Sequence, residues 1–388
     1  MIKIAFITDS LGIGGTEKSL VELVNVLPEN LFDISIFSLG CEDEIVNQFE
    51  RKIKIVAGLS NVAAANELKR SIKKGEINKS IQILFAIFFI KVLRALRLES
   101  THLYKTSVVK LMNQSEEKFD YSVFYSLPVS IGTYYARMNI MAKQYYSWVH
   151  MDVCAYPHTA IKAMNRIYRK YDKIYCVSEH CRRSFLKLFP KMKNKTNVFY
   201  NILNYTKIKQ LSEQNPGVPI LNNKVTLFTC ARVSAEKRPE WAIAIAEKLK
   251  QEGVDFVWYW AGGGLLYDEI RSKIVQNNLQ EELVLLGNVQ NPYPYYRRCD
   301  AYVQLSEHES YCISLAEATM LSKRIISTDF PTAFEITKDH SCVKLGHSQN
   351  EITEAIIELL DKEIIEKNGM FPISPPYSME ASRLFSKI

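Results

Sequence analysis

Two glutamates in the stretch SEHESYCISLAEATML, Glu309 and Glu317, stand eight residues apart among mostly small and apolar neighbours. A helix returns to nearly the same face after seven or eight residues. A loop running into a helix would therefore place Glu309 at the entry and Glu317 about two turns further in, both able to face one cleft. Two solvated helix charges is the alternative, since charged residues are mostly exposed. Upstream, ARVSAEKRPEWA places Arg232 just after an apolar run and Lys237 at the start of a helical pattern. Cations at the C-terminal end of a strand sit where α/β proteins bind ligands. They suit a diphosphate, whose leaving-group charge must be neutralised as the bond breaks; two surface cations is the alternative. Near the start, TDSLGIGGTEK puts Gly12, Gly14 and Gly15 between a strand and a helix. Glycine permits close backbone approach, and a helix N-terminus favours a phosphate. The dinucleotide pattern G-x-G-x-x-G is broken by Glu17 at its sixth position, which disfavours a Rossmann dehydrogenase and leaves a plain tight turn open.

These groups need elements to position them, and the sequence supplies two series of alternating strands and helices. IKIAFIT (Ile2 to Thr8) is an apolar, Ile-rich run suited to a buried parallel strand. Leu20, Leu23, Val24 and Leu27 then recur at helical spacing. FDISIFSL, DYSVFYSL, YYSWVH and KIYCVS read as further strands. Ser212 to Asn223, with two prolines and a glycine, reads as a linker. The alternation then restarts with KVTLFTCA, a helix from Glu236 to Lys250, DFVWYWAG, a helix from Leu265 to Gln276, LVLLG, AYVQLS, the helix with Glu317, and RIISTD. The expectation is a parallel α/β fold in two domains, residues 1–211 and 212–372, with residues 373–388 forming a last short helix after a proline break.

The 388-residue length also favours two domains. The net charge of +7 is unevenly spread. Before Lys224 there are 31 basic and 19 acidic residues; from Lys224 onward there are 18 and 23. Two domains with different partners would look like this. The eight cysteines stand singly, with no zinc-type spacing, and MIKIAFITDS lacks the apolar core of a secretory signal. A reduced, cytoplasmic protein is expected. One segment fits neither series. Between Leu68 and Arg97 lie eight basic residues, one acid (Glu76), and an apolar run from Ile81 to Ile90. The run is too short to span a bilayer, which needs roughly 20 residues. A basic helix of this kind can lie in a membrane interface; a core helix with a solvated basic end is the alternative. Apart from Phe85, Phe88 and Phe89 in its apolar core, the basic run lacks interleaved aromatics that would stack on bases, so nucleic acid is not expected as a partner.

Taken in order, the Gly-rich turn, SWVHMD, ARVSAEK, E-x7-E and STDFPTAFEI resemble the family 4 retaining glycosyltransferases of GT-B architecture, especially bacterial enzymes of capsule, O-antigen and exopolysaccharide assembly. The resemblance covers nearly the whole chain and is strongest from Phe228 to Ile336. It implies two Rossmann-like domains facing across a cleft, with the last helix crossing back to the first domain. It implies a hexosyltransferase that takes a sugar from a nucleotide-diphosphate donor, UDP being the commoner type. The acceptor would be a lipid-linked or growing surface polysaccharide. By similarity Arg232 and Lys237 would hold the diphosphate, Glu317 the ribose, and Gly14 and Gly15 would let the first loop approach the donor. Glu309 and His150 would form the catalytic pair. The polyprenyl-diphosphate-linked acceptor and the segment Lys69–Arg97 would place the protein at the inner face of the plasma membrane, against anionic lipid. No D-x-D triplet is present, so no metal or other cofactor is expected. Ser310 and Cys312 stand where the family has glycines, and Ser322 and Arg324 where it has Gly and Pro. A nucleotide-sugar 2-epimerase of the same architecture and an inactive membrane scaffold are the competing readings.

Overall fold

In a computed structural model, which describes residues 1–12, 14–58, 72–73, 77–217, 224–361 and 385, the chain divides into two compact units. The first comprises Met1–Ile202 with Pro376–Ile388, the second Leu203–Pro375. Each is a parallel sheet covered by helices, a Rossmann-like unit.

The first unit has strands β1 (Ile2–Thr8), β2 (Phe32–Ser38), β3 (Lys54–Val56), β4 (Lys118–Phe124), β5 (Met141–Val149), β6 (Lys173–Cys176) and β7 (Thr196–Val198). They lie in the order β3-β2-β1-β4-β5-β6-β7. β1 is buried from Ile4 to Thr8, as a strand covered on both faces must be. Its helices are α1 (Gly15–Val26), α2 (Ile77–Ala95), α3 (His102–Lys110), α4 (Ile131–Met138), α5 (His158–Tyr168) and α6 (Glu179–Leu188). Side-chain caps start several of them: Thr101 accepts from the Tyr104 N–H, Ser130 from Thr133 and Ser178 from Cys181. The strand order reverses between β1 and β4, so the crevice of this sheet lies beyond Thr8 and Phe124.

The second unit has helix α7 (Tyr205–Ser212), then β8 (Val225–Cys230), α8 (Pro239–Gln251), β9 (Phe256–Ala261), α9 (Tyr267–Gln276), β10 (Leu283–Gly287), α10 (Tyr293–Arg298), β11 (Ala301–Gln304), α11 (Ile313–Leu321), β12 (Ile325–Thr328), α12 (Ala333–Thr337), β13 (Val343–Gly346) and α13 (Gln349–Asp361). The sheet order is β10-β9-β8-β11-β12-β13, reversing between β8 and β11. Trp258, Trp260, Val303 and Ile326 pack with α8 on one face; Phe228, Tyr295, Tyr296 and Tyr302 fill the other. α7 belongs here because Ile208 is buried in that aromatic layer and the Asn291 amide donates to the Leu211 carbonyl (2.9 Å). The boundary thus falls at Ile202, nine residues before the end of the first domain read from the proline-rich linker.

α2 carries the apolar run of the basic segment. Ser80, Ile83 and Leu93 are buried, whereas Ile77, Ile81, Leu84, Phe85, Phe88, Phe89 and Val92 are exposed. It packs on α3, and Arg94 donates to the Tyr104 hydroxyl (3.2 Å). Lys69, Arg70 and Lys74 lie outside the described residues. Among the described residues no helix is long and apolar enough to cross a membrane.

Near the end of the chain, Phe385 is fully buried in the first unit. Its ring meets those of Phe6, Phe32, Tyr121 and Tyr146 at centroid distances of 5.2 to 6.2 Å, and the Tyr121 hydroxyl donates to its carbonyl (3.3 Å). Emptying such a pocket removes contacts from β1, β2, β4 and β5 together. Phe385→Ala is expected to destabilise the protein by about 3–5 kcal/mol, read as a lower midpoint in urea unfolding; an unchanged midpoint would show that the pocket is not part of the core.

Candidate active site

In the second unit the loops after β8 and β11 converge at the strand-order reversal. Lys237 lies in a 3-10 turn, Ala235–Lys237. Arg238 follows in the left-handed region (φ 50°) and Pro239 opens α8. The helix read from Glu236 therefore starts three residues later, because Arg238 breaks the helical path and proline suits a first helical position. Lys237 Nζ donates to Glu309 Oε1 in an ion pair that is mostly shielded, with side-chain exposures of 13% and 15%. The Ser306 hydroxyl donates to the same carboxylate oxygen (2.9 Å). Ser306 in turn accepts from the Gln304 amide (2.6 Å), and the Gln304 carbonyl oxygen accepts from the Tyr302 hydroxyl and from Ser314 (3.3 Å). The Glu307 N–H donates to the Glu236 carbonyl (2.8 Å), and Arg238 reaches Glu307 (3.4 Å) while lying over the Trp241 ring. Buried polar chains of this kind rigidify when every member is satisfied.

Arg232 takes no part in that pair. Its side chain is 76% exposed and reaches Glu236 at 3.4 Å. Its loop is set by glycines instead. Gly262 (φ 142°) and Gly264 (φ 154°) lie so close to the Ala231 and Val233 backbone that a Cβ on either would run into a carbonyl oxygen. The Trp260 indole N–H holds the Ala231 carbonyl from the other side (2.8 Å).

Glu317 sits mid-way along α11 and is 5% exposed. It is not a solvated charge. Tyr293 donates to one oxygen (3.0 Å) and Tyr296 to the other (3.2 Å), both from α10. α11 begins at Cys312, which adopts φ 59°; a glycine would take this conformation without strain. The spacing of the two glutamates is thus realised as a loop residue held by Lys237 and a helix residue held by tyrosines.

In the first unit, Gly14 is the N-cap of α1 in extended conformation and Gly15 its first residue. The Glu17 carboxylate, which accepts from Ser10 (3.3 Å), lies beside Gly14, so the helix terminus already faces an acid of its own first turn. His150 follows β5 and is buried, its ring 4.5 Å from that of Tyr125. The Tyr125 hydroxyl bonds Ser19 (2.6 Å), which donates to Asn201 (2.8 Å). His150 Nε2 has no hydrogen-bond partner. Burial lowers its pKa to about 3, so the imidazole is neutral at physiological pH. The sequence reading missed Gln304, Ser306, Tyr293 and Tyr296. The tyrosines follow the turn signal NP, but nothing in their spacing identifies Glu317 as their partner.

Sequence comparison with known proteins bears mainly on the second unit. Residues 212–370 match the family of glycosyl transferases group 1. A relative from Campylobacter jejuni, N-acetylgalactosamine-N,N'-diacetylbacillosaminyl-diphospho-undecaprenol 4-alpha-N-acetylgalactosaminyltransferase, is 27% identical over 163 residues, 42% of this chain and 43% of its own. The chain spans less than half the length of the curated relatives it matches. The fold is shared along the whole chain. Anabaena Alr3699/HepE, solved in complex with UDP, has a TM-score of 0.64 at 13% identity over 99% of this chain and 95% of its own. The lipopolysaccharide outer core galactosyltransferase WaaB in its apo form has a TM-score of 0.63 at 14% identity, with both chains fully covered. Both share the fold of this chain, with its two Rossmann-like units.

Two outcomes follow from the site's packing. Gly262→Ala should displace the Arg232 loop and lower the melting temperature by several degrees, since an added Cβ meets backbone that Trp260 pins; a variant as stable as the parent would contradict the close approach. His150 is held neutral by burial, so the unfolded chain binds its proton near the ordinary value of about 6.5 while the folded chain does not. Stability due to this group is fully present above pH 6.5 and is lost as pH falls toward 3. Between pH 6.5 and 5 the parent should lose about 2 kcal/mol more than His150→Gln, measured by denaturant unfolding at each pH. Parallel losses would mean that His150 is protonated when folded.

Proposed function

We propose that the protein is a retaining, family 4 hexosyltransferase that moves a sugar from a UDP-sugar to a polyprenyl-diphosphate-linked acceptor in the assembly of capsule, lipopolysaccharide or a similar surface polysaccharide. The observation that carries this reading is the Lys237–Glu309 pair beside Arg232 at the β8/β11 reversal, the crevice where open α/β sheets bind ligands. Arg232 is free to swing onto a diphosphate, and Lys237 needs only to share its charge between Glu309 and a phosphate oxygen. These cations would stabilise the departing diphosphate, so no metal is required. Glu309 is engaged by Lys237 and Ser306, which favours a role in orienting the donor sugar over one as nucleophile. That supports front-face attack, with the leaving phosphate taking the acceptor's proton. Glu317 would hold the ribose, as the resemblance implies. By the resemblance, Gly14, Gly15 and the neutral His150 would also serve the donor sugar. The complex of HepE with UDP and the undecaprenyl-linked substrate named for the C. jejuni relative support the donor and acceptor classes.

The exposed apolar side of α2 supports docking at an anionic membrane surface on the cytoplasmic side. Phe85 and Phe88 are 71% and 65% exposed, and Lys91, Arg94 and Arg97, further along the same stretch, are exposed too. Cations near anionic lipid contribute roughly 1 kcal/mol each, while the aromatic side chains insert.

The transferase reading is tested by UDP-dependent thermal stabilisation and by UDP release in the presence of acceptor. Glu309→Gln and Lys237→Gln should each cut transfer on the order of 10²–10³-fold, and activity should persist in excess EDTA. Near-full turnover in either variant, or a strict need for Mn²⁺ or Mg²⁺, would contradict the diphosphate site. Co-sedimentation with anionic vesicles should weaken with salt and in Phe85→Ser/Phe88→Ser, a change that removes no core contact; equal binding to neutral vesicles would remove the electrostatic part of the docking.

A further inference from the structure

Tyr302, Gln304 and Ser306 alternate along β11 and just past its end, so their side chains share one face of the sheet. Val303 and Leu305 point the other way, into the layer that α8 shares. A glutamine at the middle position carries a cost. It is 1% exposed, and a buried amide must find partners for both of its ends. An aliphatic side chain would fill the same space without that demand. Gln304 does find them. Its carbonyl oxygen accepts from the Tyr302 hydroxyl and from Ser314, near the start of α11 (3.3 Å), and its amide donates to Ser306 (2.6 Å). Thr328 of β12 holds the backbone there, donating to the Ser306 carbonyl (2.6 Å).

Each of these side-chain bonds has one possible direction. Glu309, paired with Lys237, is a carboxylate and can only accept. Ser306 must therefore donate to it (2.9 Å). A serine hydroxyl has one proton, so toward Gln304 it can only accept, and the glutamine must present its N–H there. That turns the glutamine oxygen to Tyr302 and Ser314, which donate. The chain of donors thus runs one way, from Tyr302 through Gln304 and Ser306 to Glu309. Because an amide nitrogen does not accept, Gln304 cannot compete with Glu309 for the Ser306 proton. Lys237 and Ser306 meet on the same oxygen, Oε1, and neither uses Oε2.

We propose that Gln304 is a positioning residue for sugar transfer: by reserving the Ser306 proton for Glu309 Oε1 it holds the carboxylate in one orientation, with Oε2 left for a hydroxyl of the donor sugar. This rests on the transferase reading and adds to it a residue that touches no substrate and acts through Ser306.

The test is a mutant cycle on the full chain. It reads UDP release from UDP-glucose, UDP-galactose and their N-acetylhexosamine counterparts, with undecaprenyl-diphosphate-linked N-acetylhexosamine as acceptor. Gln304→Glu keeps the shape of the side chain but offers the Ser306 proton a competing carboxylate. With the fastest donor at about pH 8.5, Ser306→Ala and Gln304→Glu should each lower kcat about 10- to 100-fold, the value of a hydrogen bond to a charged group. UDP itself should bind each variant as it binds the parent. As pH falls toward about 6, the introduced carboxyl takes up a proton and donates as the glutamine does, so its loss should shrink; that of Ser306→Ala should not. In the Ser306→Ala background Gln304→Glu should lower kcat no further, since the path to Glu309 is already cut. Losses that multiply in the double variant would overturn the proposal, and so would a Gln304→Glu variant as fast as the parent at every pH. Should Gln304→Glu not fold, Gln304→Met goes through the same cycle: a loss that disappears in the Ser306→Ala background supports the role, and a loss that multiplies, or no loss, overturns it. If the parent releases UDP from none of these donors, the transferase reading falls and this role with it; if the parent is active, the cycle decides on Gln304 alone.

Discussion

The ion pair between Lys237 and Glu309 is the interaction on which the second unit's site depends. It joins two loops that are distant in sequence but leave neighbouring parallel strands, β8 and β11. Removing either partner would strand a mostly shielded charge, which costs far more than the pair contributes net. The pair is held in turn from below by Ser306 and Gln304, and from the side by the backbone bond from Glu307 to Glu236. The lysine is thus held in one orientation, whereas the exposed Arg232 is held only by Glu236. Preorganised charge of that kind needs little rearrangement when negative charge develops.

The first unit uses the same architecture with a different electrostatic logic. Its crevice gathers buried, mostly uncharged groups: His150 held neutral, Tyr125 bonded to Ser19, and Asp9 with one oxygen unsatisfied. The division matches the charge asymmetry only in part. Of the cations of the basic segment, those that the structure describes, Lys73, Lys91, Arg94 and Arg97, are exposed.

Much of the strand framework was legible because buried parallel strands are short apolar runs; β1, β2, β4 and β8 to β12 all show this. β3, β7 and β13, each three or four residues with polar members such as Lys54, Asn197 and Lys344, gave no such signal, because edge strands need not be apolar on both faces. The site residues were legible as types and order, and their roles remain the proposal made above. Their partners were not legible, since tertiary packing alone brings Tyr293 and Tyr296 to Glu317. The start of α8 was misplaced because the left-handed turn at Arg238 has no local sequence mark beyond the following proline. The domain boundary moved because Ile208 is drawn into the aromatic layer beneath β8, a long-range contact that the proline-rich linker does not announce.

The central claim is that the donor diphosphate binds where the loops after β8 and β11 meet. Hydrogen–deuterium exchange of the full chain with and without UDP tests it most directly. The account predicts slower exchange in residues 231–238 and 306–312 when UDP is bound. Protection confined to other segments, with these two loops unchanged at saturating UDP, would contradict it.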